Sequence, residues 1–196
     1  MRLVINAILL LAAAILAFML YKSISEPIAF DSELKKREGI VVDKLKTIRT
    51  AQDMYRGITG VFAPNFDTLS HVLTNDKFTR IAVIGDPDDV NFTGEITYDT
   101  TYIAAIDSVN SLGLNLEQLR YVPKFEDTKL AEFRISADTI DYQSTLVAVV
   151  EVGTLYNTFM GLFADPYYKK YDQTYSPTKL LKFGDLNRPN ISGNWE

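Results

Sequence analysis

The hydrophobic pattern changes character along the chain, and each change marks an element. From Leu3 to Tyr21 the run is apolar apart from Asn6, and no side chain in it is charged. A helix rises 1.5 Å per residue, so a run of about 20 residues crosses the hydrocarbon core of a bilayer. In lipid a helix satisfies its own backbone groups over such a length. Leu3, Leu9, Leu10, Leu11, Ile15, Phe18 and Tyr21 are the residues expected to line this anchor. Tyr21 and Lys22 fall where an aromatic ring and a snorkelling amine meet headgroups. The run is too long for the apolar region of a cleavable signal, and no small-x-small site follows it, so a retained anchor over residues 1–24 is expected.

Past Ser25-Glu26-Pro27 the apolar period becomes helical. Proline has no N–H and clashes with the preceding turn, which predicts a hinge over residues 25–30. Asp31 or Ser32 then caps a new helix, with Glu33 in its first turn. Leu34, Val41, Leu45, Ile48 and Tyr55 fall on one stripe, which Ile40, Val42, Ala51 and Met54 widen. Lys35, Lys36, Arg37, Asp43, Lys44, Lys46, Arg49 and Asp53 are expected on the other faces. Glu38 and Gln52 interrupt the a/d pattern of a coiled coil, so a stalk helix over 31–57 is expected to pack on its own head. The head, residues 58–196, would then be held off the membrane.

Within the head, Phe66–Leu73 reads as a short helix, and Phe78–Ile84 as a strand ended by the turn Gly85-Asp-Pro-Asp-Asp. Residues 96–106 form another strand, and Leu112–Leu119 a helix that Asn115 caps and Pro123 ends. Residues 131–142 alternate as a strand, and Ser144–Val152 reads as a central strand buried on both faces. Leu155, Phe159 and Leu162 fall at helical spacing within Gly153–Phe163, and residues 164–196 read as an irregular tail. The expected class is α+β: an N-terminal transmembrane helix continuing into a long amphipathic helix packed on a small, mainly antiparallel sheet.

Composition narrows the chemistry. The 196 residues leave roughly one domain beyond the anchor, with eleven Tyr and eleven Phe to fill its core. A net charge of −5 argues against nucleic-acid binding, which needs a basic face. With no cysteine and one histidine, disulfides, thiolate chemistry and cysteine–zinc sites are excluded. Asp86, Asp88, Asp89 and Asn91 resemble oxygen ligands for calcium, but Val90 at position five of an EF-type loop has no side-chain oxygen and Thr97 at position twelve no carboxylate, so a solvated turn is expected. Ser70 and His71 are adjacent on a helix and point about 100° apart, too divergent for a nucleophile–base pair. No catalytic, metal or cofactor site is expected. Tyr167, Tyr168, Tyr171 and Tyr175, interleaved with Lys169 and Lys170, are an expected partner contact, weighed against tyrosines that pack a loop onto the sheet.

The stretch Ala51–Leu69, with Tyr55, Gly60, Phe62, Pro64 and Leu69, resembles the helix end and first loop of type IV pilins and type II secretion pseudopilins. The anchor followed by an amphipathic helix, with a proline near the junction, is similar to the long bent helix of that family, and the likeness covers roughly residues 1–73. Residues 1–21 show neither the family's basic leader ending in Gly nor its early Glu, so a divergent relative without prepilin processing is expected. The resemblance implies a subunit that works by assembly, with other envelope-complex subunits or its own copies as partners. Lys22, Lys35, Lys36 and Arg37 follow the run and by count would keep the head in the cytoplasm. That rule weakens ahead of a long domain, and with the resemblance the expectation is an inner-membrane protein whose head lies on the periplasmic side. The alternative is a tethered binding module that captures a peptide or glycan.

Overall fold

The computed structural model describes residues 1–84 and 97–196. One helix, α1 (Arg2–Thr59), covers the anchor, the expected hinge and the stalk, a length of about 87 Å at 1.5 Å per residue. The hinge expected over 25–30 is not formed: Pro27 lies inside the helix. An interior proline costs about 3 kcal/mol through one lost hydrogen bond and a ring clash. Two independent causes outweigh it. The segment before it is rich in alanine and leucine, strong helix formers, and just after it Phe30 and Leu34 are buried in the head. At the other end Gly60 takes a left-handed φ of 81° and its N–H donates to the Arg56 carbonyl, which stops the helix.

The stripe behaves as its period predicts. Leu34, Val41, Leu45, Ile48, Ala51 and Tyr55 are buried, with Val42 beside them. Ile40, expected to widen the stripe, is exposed. Arg37, expected on an outer face, is buried. Its position settles this: it lies three residues after Leu34 and four before Val41, on the stripe itself.

Below the stripe lies a three-stranded antiparallel sheet in the order β3 (Arg134–Tyr142), β4 (Thr145–Leu155), β5 (Leu180–Gly184). Gln143 and Ser144 join β3 to β4 in a two-residue turn with φ of 53° and 64°, the primed geometry that matches strand twist. Central strand β4 is buried only from Val149 onward, because β5 pairs with Glu151–Leu155 and leaves the start of the strand with one neighbour. Leu146 there is exposed. Gly184 is required where it stands: its φ is 81°, and a Cβ there would strike the Val150 carbonyl.

Helix α2 (Phe66–Asn75) begins at Asn65, whose side chain accepts the Thr68 N–H at 2.7 Å. A separate two-stranded ribbon pairs β1 (Lys77–Ile84) with β2 (Thr97–Ala104). Helix α3 (Ala105–Ser111) follows β2 directly, ahead of the position expected for a helix at Leu112–Leu119. Asn115 does cap, accepting the Gln118 N–H at 3.1 Å, but over a single turn. The helix expected over Gly153–Phe163 is shortened to α4 (Tyr156–Met160), because β4 continues to Leu155. The tail is not irregular throughout. It supplies β5, and Tyr175, Leu181 and Phe183 join one core with the α1 stripe, α2 and α4.

Candidate functional site

Two halves of α1 have opposite environments. Residues 2–24 are exposed along the whole length, including Leu3, Leu9, Leu10, Leu11, Ile15, Phe18 and Tyr21, and the half from Phe30 onward is the backbone of the head. This is one helix long and apolar enough to cross a membrane, close to the N-terminus. Its bare apolar surface far exceeds the patches that soluble monomers leave in water, and it is compatible with single-pass anchoring.

Where the two halves meet, the tail wraps the helix in aromatic rings. Phe30 is the centre: Tyr168 stacks on it at 4.9 Å between centroids, Tyr175 meets it edge-on at 5.0 Å, and Phe163 and Tyr171 flank it at 6.1 and 6.3 Å. The Tyr175 hydroxyl donates to the Phe163 carbonyl at 2.7 Å, and burial pushes its pKa up to about 12. The Tyr156 hydroxyl donates to Glu38 at 3.0 Å, so the polar residue that breaks the heptad pattern has a partner. Burial and the Glu26 carboxylate both raise the Tyr168 phenol. The 3-10 turn Pro166–Lys170 closes the lobe, held by Asp165, which accepts the Tyr167 N–H at 2.7 Å. Lys170 places its ammonium 3.4 Å from the Tyr167 ring centroid and 4.4 Å from that of Tyr171.

This lobe divides the four tyrosines expected at a partner surface. Tyr175 is buried and unavailable, Tyr168 and Tyr171 are half-buried against Phe30, and Tyr167 is exposed. Tyr167, Lys170 and Tyr171 share a shallow groove with Phe18, Met19, Lys22 and Glu26, so the head descends to the end of the apolar run.

Two buried polar contacts fix α1 to the head. Gln52 is fully buried; its amide donates to the Ala63 carbonyl at 3.1 Å and accepts the Ala63 N–H at 2.9 Å. This clasp holds the turn after Gly60, in which Phe62 is buried and Pro64 exposed; Leu69 is buried in α2. Arg37 donates to Glu33 and to Asp127, each at 2.8 Å, and to the Phe159 carbonyl at 3.1 Å. Asp127 also accepts the Leu162 N–H at 2.8 Å. Burial disfavours its charge, yet the Leu162 amide and the Arg37 guanidinium together hold its carboxyl below the usual aspartate value.

The ribbon carries a second exposed surface. Its register places Ile81, Tyr98 and Tyr102 on one face, all three exposed. Its root is fixed by Phe78 close to Gly57, at the far end of α1 from the apolar run. His71 is exposed, and Ser70 donates instead toward the Leu116 carbonyl at 3.5 Å. Among the described residues no three His, Asp or Glu side chains gather as metal ligands. Asp86, Asp88 and Asp89 lie outside the described residues.

Sequence reasoning missed Phe30, Phe163, Asp127 and the Ile81–Tyr98–Tyr102 face. A signal existed for Phe30, an aromatic residue four before Leu34, but the expected hinge separated them. Asp127 carried none, because its partner lies 90 residues away. No family model matches the chain, and comparisons with curated proteins and with solved structures return no match.

Proposed function

We propose that this chain is a single-pass membrane-anchored subunit of an envelope assembly, pilin- or pseudopilin-like in its plan, that acts through helix and head contacts rather than catalysis. The observation that carries the reading is the division of one 58-residue helix into a bare apolar half and a half buried in the head. Such a helix couples the position of a head rigidly to a bilayer. The exposed Ile81, Tyr98 and Tyr102 at the opposite end supply a surface of the kind that neighbouring subunits bury, where tyrosine is enriched. The membrane is the inner, cytoplasmic one, and the head lies on its periplasmic side.

Cysteine chemistry tests this directly, since the chain has none of its own. Tyr98→Cys in native membranes is expected to cross-link to a second copy or to another envelope subunit, and to react with an impermeant thiol reagent from the periplasmic side. A chain that stays monomeric and cross-links to nothing sinks the assembly reading. A monomer that retains a peptide or glycan on the same face supports the binding-module alternative instead.

A further inference from the structure

The 3-10 turn Pro166–Lys170 presents an exposed lip beside the Phe30 aromatic cluster. Leu162 is 80% exposed and Tyr167 52%, unusual for residues next to the Phe30 aromatic cluster. Lys169 and Lys170 are also exposed. Tyr167 and Lys170 of this lip, with Tyr171, face the turns of α1, Phe18 to Glu26, at which the uncharged run ends and Lys22 brings the first cation after Arg2.

We propose that the lip is a membrane-surface contact that seats the head on anionic phospholipid headgroups; the inference rests on the anchor reading of α1. A bilayer that takes up Leu3–Tyr21 ends its hydrocarbon near Tyr21, and its headgroup layer then covers the next several ångströms. Phe18 to Glu26 spans about 12 Å of helix, so the groove opposite those residues lies at headgroup depth. The side chains suit that layer. The Tyr167 ring enters the boundary between headgroup and acyl chain, and Lys22, Lys169 and Lys170 face lipid phosphates. Four carboxylates lie around it: Asp165 accepts the Tyr167 N–H, Asp172 accepts the Thr174 N–H, Asp31 pairs with Lys35, and Glu26 faces Tyr168 and Tyr171. Lys22, Lys169 and Lys170 give the lip three exposed ammonium groups in a chain whose net charge is −5.

The full chain, reconstituted in vesicles of phosphatidylcholine with phosphatidylglycerol, provides the test. Single variants Phe18→Cys, Lys169→Cys and Thr100→Cys carry an environment-sensitive fluorophore, and a lipid spin-labelled at headgroup depth quenches it. Thr100 lies on the ribbon, whose root at Phe78 meets Gly57, about 50 Å along α1 from Lys22. Expected is strong quenching at positions 18 and 169 and none at 100, with quenching at 169 falling at least twofold in phosphatidylcholine alone while 18 is unchanged. Quenching at 18 without 169 overturns the lip contact and leaves the anchor standing. Quenching at neither overturns the anchor and the lip with it. Quenching at 169 that ignores lipid charge overturns the preference for anionic lipid.

Discussion

Gln52 puts an uncharged amide in the middle of an apolar stripe, and both ends of that amide are used by Ala63. Replacing it with leucine keeps the volume but leaves the Ala63 N–H and carbonyl buried without partners, each a loss of about 1–3 kcal/mol. Thermal unfolding of Gln52→Leu in detergent is therefore expected to show a loss of roughly 2–4 kcal/mol. Asp127 gives a pH-dependent counterpart. Its pKa is lowered in the folded chain, so the stabilisation it brings is complete above the unfolded aspartate value of about 3.9 and is lost as pH falls below it. The melting temperature of the parent should thus fall more between pH 5 and pH 3 than that of Asp127→Asn, which is already weakened at neutral pH; equal slopes would remove Asp127 from the acid response.

At the scale of elements, α1 is held as one helix through Pro27 by what lies on each side of the proline. Phe30 is the first residue after it that the head buries, and Phe163 with three aromatic rings from the tail converges on that one side chain. Phe30→Ala is expected to cost about 3–5 kcal/mol. Its particular signature is local: residues 162–178 should become the first site of limited proteolysis, while the Gln52 clasp at the other end of the stripe stays protected. Cleavage beginning in the ribbon instead would show that the aromatic lobe does not depend on Phe30. The helix stripe was legible because period 3.6 is a property of consecutive residues. The extent of α1 was not, because a proline rule describes a helix without the tertiary contacts that offset its cost.

For the whole molecule, the C-terminal residues close the sheet. Beyond β5 the chain turns back, with the Gly184 N–H donating to Ser192, the Lys182 N–H to the Asn194 side chain, and the Asn194 amide to the Leu180 carbonyl. Arg49 of α1 reaches the same segment through Ile191 and Glu196. A chain ending at Leu186 loses these five contacts and uncovers the outer edge of β5, an expected loss of roughly 5 kcal/mol at about 1 kcal/mol per net hydrogen bond. Denaturant unfolding of the detergent-solubilised chain measures it, and an unchanged midpoint would show that the return segment does not support the sheet.

Local pattern alone determined the apolar run, the buried stripe of the long helix, α2 and the approximate places of the first four strands, since each depends on residues near one another in sequence. The compact lobe around Phe30, the Arg37–Asp127 pair and the pairing of β5 were decided by tertiary structure. Their partners lie far apart along the chain, and no local period records which distant residue will neutralise a buried cation or cover an aromatic ring. The same reason explains the height of the head. A stripe can show which face of a helix is covered, but only the returning tail shows that the cover reaches down to the end of the apolar run.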